Sequence, residues 1–234
     1  MELLDALRTT GAVREFTPEP VADDVVWRVL DNARFAPSGG NQQGWHVVVV
    51  KEPATRLGLR DLYLPGWYDY LAMSAAGLRP WAPPNDPATE AAATAGAGAI
   101  AAAAAAGPGG FAERLHEVPV LLALFVDLGV LAAVDRDSAR YSFAGGASVY
   151  PFAWNVLLAA RAEGLGGVIT TMSIREEPAV KELLGAPADH ALAAVIALGR
   201  PARQGRRLTR AAVASFATLD RVDGPPLAPE PVTT

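Results

Sequence analysis

Val118–Val126 is an unbroken apolar run rich in leucine and valine, about half the length a membrane-spanning helix needs. A run this short has one economical use, a β-strand buried on both faces. Trp45–Val50 has the same character, and Val168–Thr171 and Ala193–Leu198 supply two further strand candidates. Helical patterns separate them, without internal repeats. Such an alternation requires a layered α/β or α+β fold. A chain of 234 residues can bury roughly 70% of its unfolded surface, enough for a core that needs no covalent staples.

The helical patterns can be placed from their apolar spacing. Glu2–Arg8 reads as a short helix, followed by an extended, turn-rich stretch from Thr9 to Pro20. Val26, Val29, Leu30 and Ala33 recur at i, i+3, i+4 and i+7, the buried face of a helix that Asp23 or Asp24 could cap. Pro37 and Gly39-Gly40 require that helix to stop by Ala36. Ala54–Asp61 is helical again, and Ser148 is placed to cap a long helix that carries Val149, Phe152, Ala153, Val156, Leu157 and Ala160 on one stripe and is broken by Gly164. Glu176–Leu184 forms a last short helix. Residues 62–116, aromatic and proline-rich and then alanine-rich, are expected to be an irregular excursion and a possible lid, with Ile100–Ala106 its one good helix candidate. The expectation is a single domain over 1–222 and a disordered tail over 223–234.

Composition removes several classes of function. The absence of cysteine rules out disulfides, thiolate catalysis and cysteine-ligated metal centres. His46, His116 and His190 lie far apart with no metal-ligand spacing, so no metal site is expected. A net charge of −5 opposes broad binding to nucleic acid or anionic membrane. Glu2 and Asp5 stand where a secretory signal needs positive charge, and Thr94, Gly96 and Gly98 interrupt the alanine tract. The protein is therefore expected in the cytoplasm, with neither nucleic acid nor membrane as partner.

Four constellations could carry chemistry. Ala36–Trp45 joins a helix end to a strand with small residues and with Ser38, Asn41 and Gln43, which offer hydrogen bonds without charge. That suits the edge of a flavin ring, and equally an ordinary capped loop. Arg14 is a lone cation near the terminus, either solvated or anion-binding. Arg200, Arg203, Arg206, Arg207 and Arg210 crowd a short stretch, either as a phosphate site or as a solvated face. Glu163-Gly164-Leu165-Gly166-Gly167 leads from helix to strand, the reverse of a dinucleotide loop, and reads as a helix end and tight turn. With neither a nucleophile elbow nor a carboxylate pair in view, a cofactor is better placed to do chemistry than a side chain.

Taken in order, these segments resemble the nitroreductase family of FMN enzymes. The strongest likeness is Asp31–Trp45, similar to the family's A-x-x-A-P-S-x-x-N-x-Q-P-W; Arg14-Glu15-Phe16, the helix Gly146–Glu163 running into Gly164-Leu165-Gly166, and Leu198-Gly199-Arg200-Pro201 add to it. The resemblance covers most of 1–50 and 117–222. It implies an α+β, three-layer fold with a central, mostly antiparallel sheet flanked by helices, in a domain-entwined homodimer with FMN at the subunit interface. By position, Arg14 and the basic cluster, Arg207 or Arg210 above all, would hold the FMN phosphate. Pro37, Ser38, Gly39 and Asn41 would line the ring and ribityl chain, and Thr170 and Thr171 would present backbone to the reactive flavin nitrogen. Two departures stand out: Thr10-Gly11-Ala12-Val13-Arg14 replaces the usual Arg-Arg-Ser-x-Arg, and Gly44 replaces a common proline.

The resemblance implies ping-pong transfer of hydride from NADH or NADPH, through flavin, to a small acceptor such as a nitroaromatic, quinone or enone. The flavin itself would carry the chemistry, with no catalytic side chain. The alternatives are a flavin-dependent dehydrogenase or oxidase of a biosynthetic pathway, and a non-catalytic flavin-binding protein.

Overall fold

A computed structural model of the chain describes residues 2–140, 142–203 and 208–228. Among these, four strands form one antiparallel sheet: β1 (Trp45–Val50), β2 (Val120–Asp127), β3 (Gly166–Thr170) and β4 (His190–Gly199), in the order β1-β2-β4-β3. The α+β class with a central antiparallel sheet is as expected. All four apolar runs became strands because each is short, β-branched or alanine-rich, and bounded by turn residues. β2 meets the expectation of two-faced burial, buried from Val120 to Val126, and its neighbour β4 is likewise buried from Leu192 to Gly199. β1 does not. It occupies an edge, and only Val50 is buried. An apolar run reveals that a strand forms, but its place in the sheet is set by which partners reach it.

The helices are α1 (Leu3–Thr9), α2 (Asp23–Ala33), α3 (Pro53–Ala75), α4 (Pro87–Thr94), α5 (Ala97–Ala105), α6 (Tyr150–Ala162) and α7 (Glu177–Leu184). α2 and α6 cover one face of the sheet. Val29, Ala33, Phe152 and Val156 pack there on Leu122, Leu124 and Ile196, and Trp45 stacks on Phe152 at 4.8 Å. α3 and α7 cover the other, where Leu59, Tyr63 and Val180 meet Leu121, Phe125 and Val195. These are the three expected layers. Arg56 in α3 donates to the carbonyls of Val50, His116 and Val118, tying the helix to both edges of its strand pair. Burial lowers the pKa of its guanidinium, because no carboxylate shares the site.

Two capping expectations fail for the same reason. α2 starts after Ala22 with no side-chain cap, since Asp23 is drawn to Lys51 and Asp24 to Arg28. Ser148 does not cap α6; its hydroxyl accepts from the Gly39 backbone N–H at 2.9 Å. A distant partner takes the side chains of Asp23 and Ser148, and Arg28, one turn further along the same helix, takes that of Asp24.

The largest correction falls in the middle. α3 continues through Pro65 to Ala75, and α4 and α5 follow, so most of residues 62–116 is regular helix rather than an irregular excursion. A proline inside a helix costs roughly 3 kcal/mol. Burying Tyr63, Ala72 and Met73 offsets that, at about 1.5–3 kcal/mol for each large side chain. Tyr63, Trp67 and Tyr70 lie at i, i+4 and i+7, with Trp67 stacked on Tyr70 at 5.4 Å. Asp86 caps α4 by accepting from the Thr89 N–H, with Pro87 in the first turn. Among the described residues no helix is long and apolar enough to cross a membrane.

Candidate functional site

The N-terminal strap is where the glycine-rich motif acts. Gly164 ends α6 at φ +76°, and Gly167 sits where a Cβ would collide with Leu198 and the Ala197 carbonyl. Gly166, where a Cβ would meet the Val13 side chain, lets the segment after α1 lie against β3. Ala12 bridges Gly167 in parallel, and Val13 N–H donates to the Gly167 carbonyl at 2.9 Å. Further on, Phe16 bridges Pro201, and the Ala202 N–H donates to the Glu15 carbonyl. Leu208 N–H reaches the Arg8 carbonyl at 2.9 Å, so the C-terminal basic segment runs back along the N-terminal strap.

This crossing creates two hollows that share a wall. One, of about 450 Å³, is lined by Arg14, Phe16, Thr17, Phe111, Arg114 and Glu117 among others. The other, of about 340 Å³, lies between Gly11–Glu15, Arg203 and Leu208. Arg14 belongs to both. At the nearby end of β3, the Thr170 hydroxyl donates to the Tyr63 hydroxyl at 3.2 Å. Burial pushes the Tyr63 phenol above its usual pKa, opposed by the Thr170 bond and the charge of Arg14, while Glu113 adds to the rise. Tyr63 therefore stays a neutral phenol at physiological pH, and Arg14 lies within electrostatic reach of it. Thr17, in the wall of the larger hollow, has a buried hydroxyl with no hydrogen-bond partner among the described residues.

The loop before β1 lies elsewhere. Gly39–Asn41 makes a single 3₁₀ turn after Pro37 and Ser38. Gly40, Asn41 and Gln43 all have φ between 53° and 59°, a left-handed conformation that glycine adopts freely and asparagine tolerates. Ser38 Oγ accepts from Gln43 N–H, which holds the loop closed. The dent beside it measures only about 10 Å³, room for at most a water molecule. The loop leads into one edge of the sheet and Thr170 ends the other, three strand spacings apart, roughly 14 Å.

The candidate residues thus fall into two groups. Thr170 bonds Tyr63, on which the charge of Arg14 also acts, with Thr171 directly following β3; Pro37, Ser38, Gly39 and Asn41 form a separate cluster. Arg210 lines neither hollow and donates instead to the adjacent Thr209 carbonyl. Arg207 lies outside the described residues. The cation that joins Arg14 is Arg203, a member of the basic cluster that position alone did not favour. Tyr63, Phe111 and Arg114 were not singled out either, because they lie in or beside the middle segment, which had no matching pattern.

The protein is thus an α+β fold, an antiparallel sheet between two helical layers, with a cationic cleft at one edge and a small-residue loop at the other. Residues 7–200 match the nitroreductase family, and the chain belongs to it. It is 28% identical over 221 residues to an NADH dehydrogenase of Thermus thermophilus, covering 83% of this chain and 84% of that one. It is 30% identical over 205 residues to 5,6-dimethylbenzimidazole synthase of Rhodospirillum rubrum, covering 85% and 82%. Among solved structures, a BluB-like flavoprotein of Clostridium difficile superposes with a TM-score of 0.65 at 20% identity, covering 94% of this chain and all of the other.

Proposed function

We propose that the protein is an FMN-dependent oxidoreductase that carries hydride from NADH or NADPH to a small acceptor such as a nitroaromatic, quinone or enone. The observation that carries this reading is Arg14, in the shared wall of two hollows and beside the Thr170–Tyr63 pair. The residues fit the cofactor. Arg14 and Arg203 supply guanidinium groups for a phosphate. The larger hollow has the volume typical of small-molecule sites and combines Phe16 and Phe111 with the charged groups of Arg14, Arg114 and Glu117. Bound FMN would supply reversible hydride storage.

The protein's own part is then positioning. Tyr63 holds the Thr170 side chain, which leaves the backbone at Thr170 and Thr171 to face the ring. Arg14 places positive charge beside that end of β3, where it favours negative charge developing on a ligand. Pro37, Ser38, Gly39 and Asn41 lie too far from this cleft to serve it within one chain. They would complete the site of a partner subunit, which accords with a homodimer. Exposed Leu3, Leu4 and Leu7 of α1, exposed Trp27 and Phe35, and an outlying C-terminal turn with exposed Phe216 and Val222 provide apolar surface for that association.

A second reading, flavin run in the oxidising direction within a biosynthetic pathway, is favoured by the likeness to 5,6-dimethylbenzimidazole synthase. An absorbance spectrum followed by anaerobic titration with NADPH and then NADH separates the two. Bleaching by either nicotinamide supports the reductase. Bound flavin that only an organic substrate bleaches supports the second reading, and a colourless protein that fails to take up FMN overturns both.

A further inference from the structure

His46 and His190 are remote in the chain, and their spacing gives no reason to pair them. The sheet pairs them. β1 and β4 flank β2, and the register sets His46 opposite Phe125 and His190 opposite Asp127. Residues two apart on a strand return to one face, so His46, Asp127 and His190 share the α3 side of the sheet at one end. The two imidazole rings have centroids 6.3 Å apart, edge to face. One ligating atom from each of Asp127, Asp189 and His190 lies within 4.8 Å of the others, and His190 Nδ1 is 2.9 Å from Asp189 Oδ1.

The separations among Asp127, Asp189 and His190 approach those of one metal ion, whose ligands, about 2.0–2.2 Å from zinc, stand roughly 3–4 Å from one another. We propose that Asp127, Asp189 and His190 form a binding site for a single divalent transition-metal cation of the zinc class, with the His46 ring packed edge to face against His190 beside it. Asp127 Oδ1 already accepts from the Gly129 N–H at 2.7 Å, which orients the carboxylate and leaves its second oxygen for the ion. Imidazole nitrogen with carboxylate oxygen selects zinc, cobalt, nickel or copper over calcium and magnesium, which take oxygen alone.

The surroundings permit entry. The Asp189 side chain is 69% exposed and that of His190 19%, so the site opens to solvent. Lys181 is the competing cation, but its ammonium is engaged by the Ala188 carbonyl at 2.9 Å. The Asp127 N–H also donates to the Gly44 carbonyl at 2.8 Å. A bound ion would fasten the end of β2 to the start of β4, independently of whether flavin is bound.

The test is calorimetric titration of tag-free, full-length protein, stripped with chelator and dialysed, with zinc chloride, together with optical titration with cobalt(II). The site predicts one zinc per chain with micromolar or tighter affinity, a cobalt d–d band, and at least a ~10-fold loss of affinity in each of Asp127→Asn and His190→Ala. Unchanged far-UV circular dichroism verifies that each variant keeps the fold. No saturable zinc binding up to millimolar concentration would overturn the site. So would unchanged binding in the folded double variant, or displacement of zinc by equimolar magnesium.

Discussion

The contact between Thr170 and Tyr63 joins the candidate site to the core, and its energetics can be worked out from burial. Tyr63 is 3% exposed, and its hydroxyl accepts from Thr170 Oγ1 at 3.2 Å. Thr170→Val leaves the phenol in place without that partner, where water has little access. Orphaning a buried polar group costs about 1–3 kcal/mol, and a nearly complete burial points to about 2 kcal/mol. Tyr63→Phe leaves the Thr170 hydroxyl instead, on a half-buried strand end that water reaches, so about 1 kcal/mol is expected. The double variant replaces both polar groups with apolar ones of similar shape and should cost no more than about 2 kcal/mol. The two changes should then be coupled by at least ~1 kcal/mol. Urea unfolding of the four proteins of the cycle measures this, with midpoints converted at a common slope. Costs that add to within about 0.3 kcal/mol would refute the reasoning, as would a larger cost for Tyr63→Phe than for Thr170→Val.

Three other outcomes follow from the same geometry. Arg14→Ala and Arg203→Ala should each weaken FMN binding roughly 10- to 100-fold, the loss of a charge-assisted hydrogen bond; Arg210→Ala, exposed and bonded to its neighbour, should change it little in the same fluorescence titration. Leu59→Ala empties a fully buried position between α3 and the sheet and should cost about 2–5 kcal/mol by denaturant unfolding. Arg28 holds Glu163 at 2.8 Å and keeps its carboxyl below the usual value, chiefly through that hydrogen bond. A depressed carboxyl contributes stability above its unfolded pKa and loses it as pH falls through the folded one. Wild type should therefore exceed Glu163→Gln in melting temperature near neutrality, and the gap should close below about pH 4; a gap that persists at pH 2 would assign the effect to something other than ionisation.

Strand positions, most helices and the class of fold were legible in the chain, because short apolar runs and 3.6-residue stripes are local consequences of which faces are buried. Val118–Val126 and the α6 stripe needed no partner to be read. α3 was read only to Asp61, since Pro65 and the aromatic residues beyond it signal a break locally. What carries the helix on to Ala75 is burial of Tyr63, Ala72 and Met73 and close packing of Gly66 against Met172 and Arg175. No window of sequence contains those partners.

The site divides in the same way. Arg14 and the loop Pro37–Asn41 could be named from the chain, because each sits in a motif whose residue types have a use at that spacing, and Thr170 through the family resemblance alone. Their arrangement could not. The order β1-β2-β4-β3 carries the loop and Thr170 to opposite edges, and the C-terminal segment folding back along residues 8–15 brings Arg203 to Arg14. The same sheet brings His46 to within 6.3 Å of His190. The sequence alone determined which stretches bury an apolar face and which small or charged residues are available to a ligand. The tertiary structure decided which of them meet, because contacts between distant residues are set by strand order and register, and neither has a local signature.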